Sequence, residues 1–150
     1  SNVLRYVTHK GYHLEKEDEE HRFRIKIEKR GCLELEEEEN IFSILITSEK
    51  LGESDDELGI ILMKEYFELL NECDQLPKEL LFLNSAVRLF YKDSKVLEEI
   101  KMLHKKGVSI LLNDTSINYY NLKEEITFGE IVSMYDMIIT MKKSKKIIKL

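Results

Sequence analysis

The stretch IFSILITSEKLGESDDELGIILMKEYFELL, residues 41–70, decides between fold classes. It opens with IFSILITS, a near-continuous apolar run bounded by a polar loop, the pattern of a strand covered on both faces. A helix over about 55–73 follows, with Leu58, Leu62, Tyr66 and Leu69 on one stripe. Ser54-Asp55-Asp56-Glu57 reads as a capping box. In it Ser54 accepts from the N–H of Glu57, and the Glu57 carboxylate accepts from the N–H of Ser54. Asp55 and Asp56 suit the positive end of the helix dipole and discourage phosphate from binding there.

The same unit recurs downstream. ELLFLN (79–84), VSILLN (108–113), a weaker ITFGEIV (126–132) and KIIKL (146–150) read as strands. Helices are expected at about 94–106 and 134–143, with a shorter helical piece at 116–124. Strands alternating with helices imply right-handed crossovers and a mainly parallel sheet with helices on both faces. The expected architecture of residues 41–150 is therefore a three-layer, doubly wound α/β domain with a five-stranded sheet.

Upstream the pattern changes. Val3, Leu4 and Val7 mark the end of an amphipathic helix that Gly11 stops. YHLEKE and HRFRIKIEK then read as a hairpin, with Phe23, Ile25 and Ile27 alternating with Arg and Lys and with EDEE as the loop. One helix and one hairpin bury too little apolar surface to stand alone, so residues 1–30 read as the tail of a larger α+β domain. Glu34 and Glu36 to Glu39 form an acidic run whose like charges stay hydrated, which marks 31–40 as a linker.

Composition excludes several functions. A net charge of −6 argues against nucleic acid, whose affinity comes mostly from Lys and Arg on phosphate. No run approaches the roughly 20 apolar residues of a membrane span, and no secretory leader opens the chain, so a cytoplasmic protein that does not enter membranes is expected. With neither G-x-x-x-x-G-K-[ST] nor G-x-G-x-x-G, no nucleotide or other cofactor is expected. Two helices are apolar nearly all round. Ile60, Ile61, Met63, Phe67 and Leu70 widen the stripe of the first, and Met134, Tyr135, Met137, Ile138, Ile139 and Met141 fill the last. Such helices must be covered nearly all round, so a homo-oligomer is expected, with burial within one chain as the alternative.

Reactive side chains are few. His9 and His13 are separated by Gly11, and His21 and His104 have no evident companions, so no metal site is expected. Cys73 ends a helix between Glu72 and Asp74, where carboxylates and the helix terminus disfavour a thiolate, and it reads as an inert, buried thiol. Cys32 lies in the acidic linker with no base nearby. The loops at the carboxyl ends of the strands, 47–54, 84–94 and 113–120, are expected to converge on a cleft. They offer Ser48, Asn84, Ser85, Arg88, Asn113, Asp114, Thr115, Ser116 and Tyr119, a set able to bind a polar ligand but with no His to activate a serine.

ILITSEKLGESDDELGIILMKEYFELL, LPKELLFLNSAVRLF, VLEEIKMLHKKGVSIL and FGEIVSMYDMIITMKKSKKIIKL resemble the YedF family, in which a TusA-like sulfur-carrier domain precedes a DsrE/DsrF-like domain. The resemblance covers residues 41–150, and the helix and hairpin of 1–30 are similar to the last elements of the TusA-like domain. It implies a sulfurtransferase-like or sulfur-relay protein with a link to selenium metabolism, working with other sulfur-relay proteins. The C-P-x-P cysteine of TusA-like domains is not in this sequence. Where DsrE-like relatives commonly carry cysteines after the third strand, the corresponding positions are Asn113 and Ser116, which cannot hold a persulfide. No catalytic residue is therefore assigned, and a noncatalytic oligomeric binding or assembly module is the alternative.

Overall fold

The computed structural model describes residues 12–19, 22–29, 41–53 and 55–150. The expected helix before Gly11, the linker with Cys32, and Ser54, His9 and His21 lie outside these residues. The chain divides into two compact units, Ser1–Glu39 and Asn40–Leu150.

Within the first unit, β1 (Tyr12–Glu19) and β2 (Arg22–Lys29) pair antiparallel. The expected loop EDEE is mostly strand. The register sets Glu17 opposite Arg24 and Glu19 opposite Arg22, so the ladder runs to the end of β1.

The second unit holds a five-stranded sheet of β3 (Phe42–Ile46), β4 (Glu79–Phe82), β5 (Ser109–Asn113), β6 (Glu130–Val132) and β7 (Lys146–Lys149). Its order is β6-β5-β4-β3-β7, and every neighbouring pair is parallel. The crossovers carry helices α1 (Asp56–Glu72), α2 (Leu97–Lys105), α3 (Asp114–Tyr119) and α4 (Met134–Lys143). A 3₁₀ helix, Asn84–Phe90, follows β4 where the sequence suggested only a loop.

Strand periodicity sorts the core into two layers. Ile44, Ile46, Leu80, Phe82, Ile110 and Leu112 face one side and pack with Met63, Phe67 and Leu70 of α1, Ile100 and Leu103 of α2, and Ile117 of α3. Phe67 stacks on Phe82 at 6.5 Å, and Phe82 meets the edge of Phe90 at 4.9 Å. Leu81, Leu111 and Val132 face the other side, where α4 covers them with Met137 and Met141. Among the described residues the second layer is thus a single helix. Its far end is tied to the sheet by Ser43, which is fully buried, donates to Glu79 Oε2 at 2.5 Å and lies 2.6 Å from Ser144 Oγ.

Three local readings need correction. The cap of α1 is Asp55, whose side chain accepts from the N–H of Leu58 at 2.9 Å; the other half of the expected box, Ser54, is outside the described residues. The strand expected at 126–132 shrinks to three residues because Gly129, at φ +87°, turns the chain just before β6. Ile126 and Phe128 instead pack onto the first core layer. Cys73 is exposed, not buried: it is the C-cap of α1, and its extended backbone takes it off the stripe of Gly59, Met63, Phe67 and Leu70 that faces the core.

Candidate functional site

Parallel strands bring their carboxyl ends to one edge of the sheet, and two of those ends build a cleft. At the end of β4, Leu83 donates to the carbonyl of Ile46 at 2.9 Å and hands over to Asn84, which adopts a left-handed backbone with φ +56°. Asn is among the few side chains that visit this region readily. Next door, Asn113 closes β5 and caps α3.

Asn113 is only 1% exposed and its amide oxygen is fully occupied. It accepts from the Ser116 N–H at 2.9 Å and from the Ser116 hydroxyl at 2.8 Å. Ser116, 9% exposed, in turn accepts from the N–H of Asn84 at 2.9 Å. The three residues therefore form a closed relay that fastens the end of β4 to the first turn of α3. Asp114 Oδ1 takes the Thr115 N–H at 2.6 Å and the Thr115 hydroxyl at 3.2 Å. The NDTS sequence is a cap and a tie.

Above this relay lies a cleft of about 350 Å³ lined by Leu83, Asn84, Asn113, Thr115, Ser116, Tyr119, Tyr120 and Met134. Five of the sequence candidates meet here: Asn84, Asn113, Thr115, Ser116 and Tyr119. Tyr119 and Tyr120 pack edge to face at 5.0 Å. The sequence reading missed Leu83, Tyr120 and Met134. The signal for Met134 was present in Ser133-Met134-Tyr135-Asp136, where Ser133 and Asp136 form a capping box that fixes the start of α4 beside the cleft.

The loop after β3 does not reach this cleft. Arg88 pairs with Glu49 at 2.6 Å, and both line a second cleft of about 380 Å³ together with Ile60, Tyr91 and Lys95. Arg88 links the two regions, since its guanidinium also lies 5.8 Å from the centre of the Tyr120 ring. Ser48 serves its own turn, accepting from the N–H of Lys50 at 3.2 Å. Ser48, Ser85 and Asp114 line neither cleft.

The chemistry available is limited. The proton of Ser116 points to an amide oxygen, a poor base, so the hydroxyl is not activated for attack. His104 lies elsewhere, stacked on Phe128 at 5.6 Å with Nδ1 3.3 Å from the Val108 carbonyl. Cys73 lies beyond the end of α1, at the amino edge of the sheet, and its thiol donates to the Leu69 carbonyl at 3.4 Å. Among the described residues no three of His, Cys, Asp and Glu are grouped to hold a metal ion. None of the described helices is long and apolar enough to cross a membrane.

No protein-family model matches the chain. No curated protein matches it in sequence either. Among solved structures, the crystal structure of the YchN protein from E. coli is similar, with a TM-score of 0.54 over 73% of this chain and 99% of that one, at 11% identity. At that identity the likeness is one of fold, and it agrees with the five parallel strands and their flanking helices. The carboxy-terminal unit has a DsrE-like fold.

Proposed function

We infer that this DsrE-like unit is a noncatalytic binding and assembly module, one that keeps the fold without the loop thiol of sulfur transfer. The observation that carries the reading is the Asn84–Ser116–Asn113 relay, in which the side chains at the loop positions are consumed in holding two strand ends together. The cleft over it suits a small ligand with an apolar or flat part against Tyr119, Tyr120 and Met134 and a polar end toward Thr115 and Asn84. Arg88 approaches that cleft only through the Tyr120 ring.

A sulfur-relay role is the second reading, favoured by the DsrE-like fold together with the YedF resemblance. In it residues 1–30 are the end of a TusA-like domain, 31–40 a linker and 41–150 the DsrE-like domain of a cytoplasmic protein linked to selenium metabolism. The sulfur then travels on a cysteine of this protein.

One experiment separates the two. The chain is incubated with a cysteine desulfurase and cysteine under nonreducing conditions, beside a known carrier as positive control, and each cysteine peptide is weighed. The binding-module reading expects no reducible added sulfur. Labelling of Cys32 that disappears in Cys32→Ser would overturn it and establish relay.

A further inference from the structure

The two outer helix faces of the DsrE-like unit are both apolar and carry opposite charge. On α1 the side turned away from the core presents Leu58, Ile61 and Leu69, the last two each 56% exposed. Between them lie Glu57, Glu65, Glu68 and Glu72, and Lys64 offsets only Glu68, at 3.2 Å. Where α1 meets α2 a groove of about 580 Å³ is lined by Glu65, Glu68, Glu72 and Glu99 together with Leu69 and Met102. Among the described residues its one cation, Lys106, donates to the Asn71 carbonyl at 2.6 Å. Its wall also contains Asn71 Oδ1, a buried acceptor with no donor.

Across the sheet, α4 presents Tyr135, 70% exposed, then Ile138 and Lys142, at the i, i+3, i+7 spacing that aligns side chains on one helix face. Lys143 follows, while Asp136 is engaged in the capping box. Ile147 and Lys149 of β7 extend this apolar and basic side, since their partners Ser43 and Leu45 face the α4 layer.

We propose that copies of this chain associate head to tail, the α4 face of one copy seated on the α1–α2 groove of the next. Tyr135 and Ile138 cover Leu69 and Met102, and the Lys142 ammonium meets the carboxylates that line the groove. A second copy is the occupant because each chain carries both halves of a complementary pair, placed on opposite faces of one sheet where they cannot satisfy each other. Pairing α1 with α1 or α4 with α4 would bring like charges together, so a two-fold arrangement is disfavoured. Contact between two different faces closes into a ring or runs on as a filament. This deepens the assembly part of the proposed function, and its failure would leave the thiol-free cleft untouched.

The test is sedimentation velocity on the full chain and on two charge-reversed variants, Glu65→Lys with Glu72→Lys and Lys142→Glu with Lys143→Glu, each checked for native circular dichroism. The wild type is expected to be an oligomer. Each variant alone is expected to associate at least about 10-fold more weakly, a loss of 1.4 kcal/mol or more. An equimolar mixture is expected to reassemble, because each variant then meets a face of opposite charge. A monomeric wild type, variants that assemble as well as the wild type, or a mixture that stays dispersed would each overturn the proposal.

Discussion

Replacing Asn113 by Ala tests whether the relay is structural. The side chain supplies the cap of α3, and losing an Asn cap costs typically about 1 kcal/mol. It also accepts the Ser116 hydroxyl at a position 9% exposed, where a stranded donor costs about 1–3 kcal/mol. The two losses share one oxygen and will not add fully, which places the expected destabilisation at about 2–3 kcal/mol. Urea unfolding followed through the helical circular dichroism signal reads this directly. With a slope of roughly 1.5 kcal/mol per molar urea, the midpoint should fall by about 1.3–2 M. Asn113→Asp keeps an acceptor in place but puts a carboxylate into a nearly buried site beside Asp114. It should recover part of the loss, because Asp caps a helix about as well as Asn and keeps both donors of Ser116 satisfied. A change of less than about 0.5 kcal/mol for Asn113→Ala would refute the structural account, since effects that small are usual at positions without a structural duty.

Gly129→Ala should destabilise by at least about 2 kcal/mol in the same urea assay, because a Cβ there would meet Leu112 Cδ1 at 2.8 Å and Ile110 Cγ2 at 2.9 Å on a backbone with φ +87°. Burial, with a smaller electrostatic contribution from neighbouring Cys73, raises the Tyr66 pKa above its ordinary value of 10.0. As pH rises from about 10 through the folded value, the folded state keeps a proton that the unfolded state has released, so stability falls in that window. Tyr66→Phe should flatten this fall in urea midpoints measured across alkaline pH. Ser116→Cys places a thiol in the loop, and alkylation followed by mass spectrometry should modify it much more slowly than exposed Cys73. Equal rates would mean that the relay opens readily in solution.

The parallel sheet was legible because Ile44, Ile46, Leu80, Leu81, Phe82, Ile110 and Leu112 are buried from both sides and leave uninterrupted apolar runs in the sequence. β6 was overdrawn because Ile126 and Phe128 carry the apolar signal of a strand while packing from an irregular segment. Cys73 was misread because residue type favours burial, whereas its position one residue past α1 decides exposure. The cleft was half legible. Asn84, Asn113, Thr115, Ser116 and Tyr119 follow strand ends and can be found by rule, whereas Met134 arrives through tertiary packing from a distant segment, and Leu83 and Tyr120 are apolar or aromatic neighbours of those candidates. The 3₁₀ helix left no periodic signal, and Asn84 at its start reads only as a turn former.

β7 joins the sheet by pairing with β3, and the contact of Thr47 Oγ1 with the Leu150 carbonyl spans 103 residues of chain. Such a closure forms late in folding, because loop entropy must be overcome before its few contacts form. β7 is also short and mostly exposed, so it is the strand expected to open without global unfolding. Its amides should exchange with deuterated solvent long before those of β4 and β5. Each opening bares the hydrogen-bonding edge of β3, whose apolar sequence then becomes a template for an incoming strand. The detachable strand therefore acts as an edge guard, and its residence time sets how readily this domain aggregates.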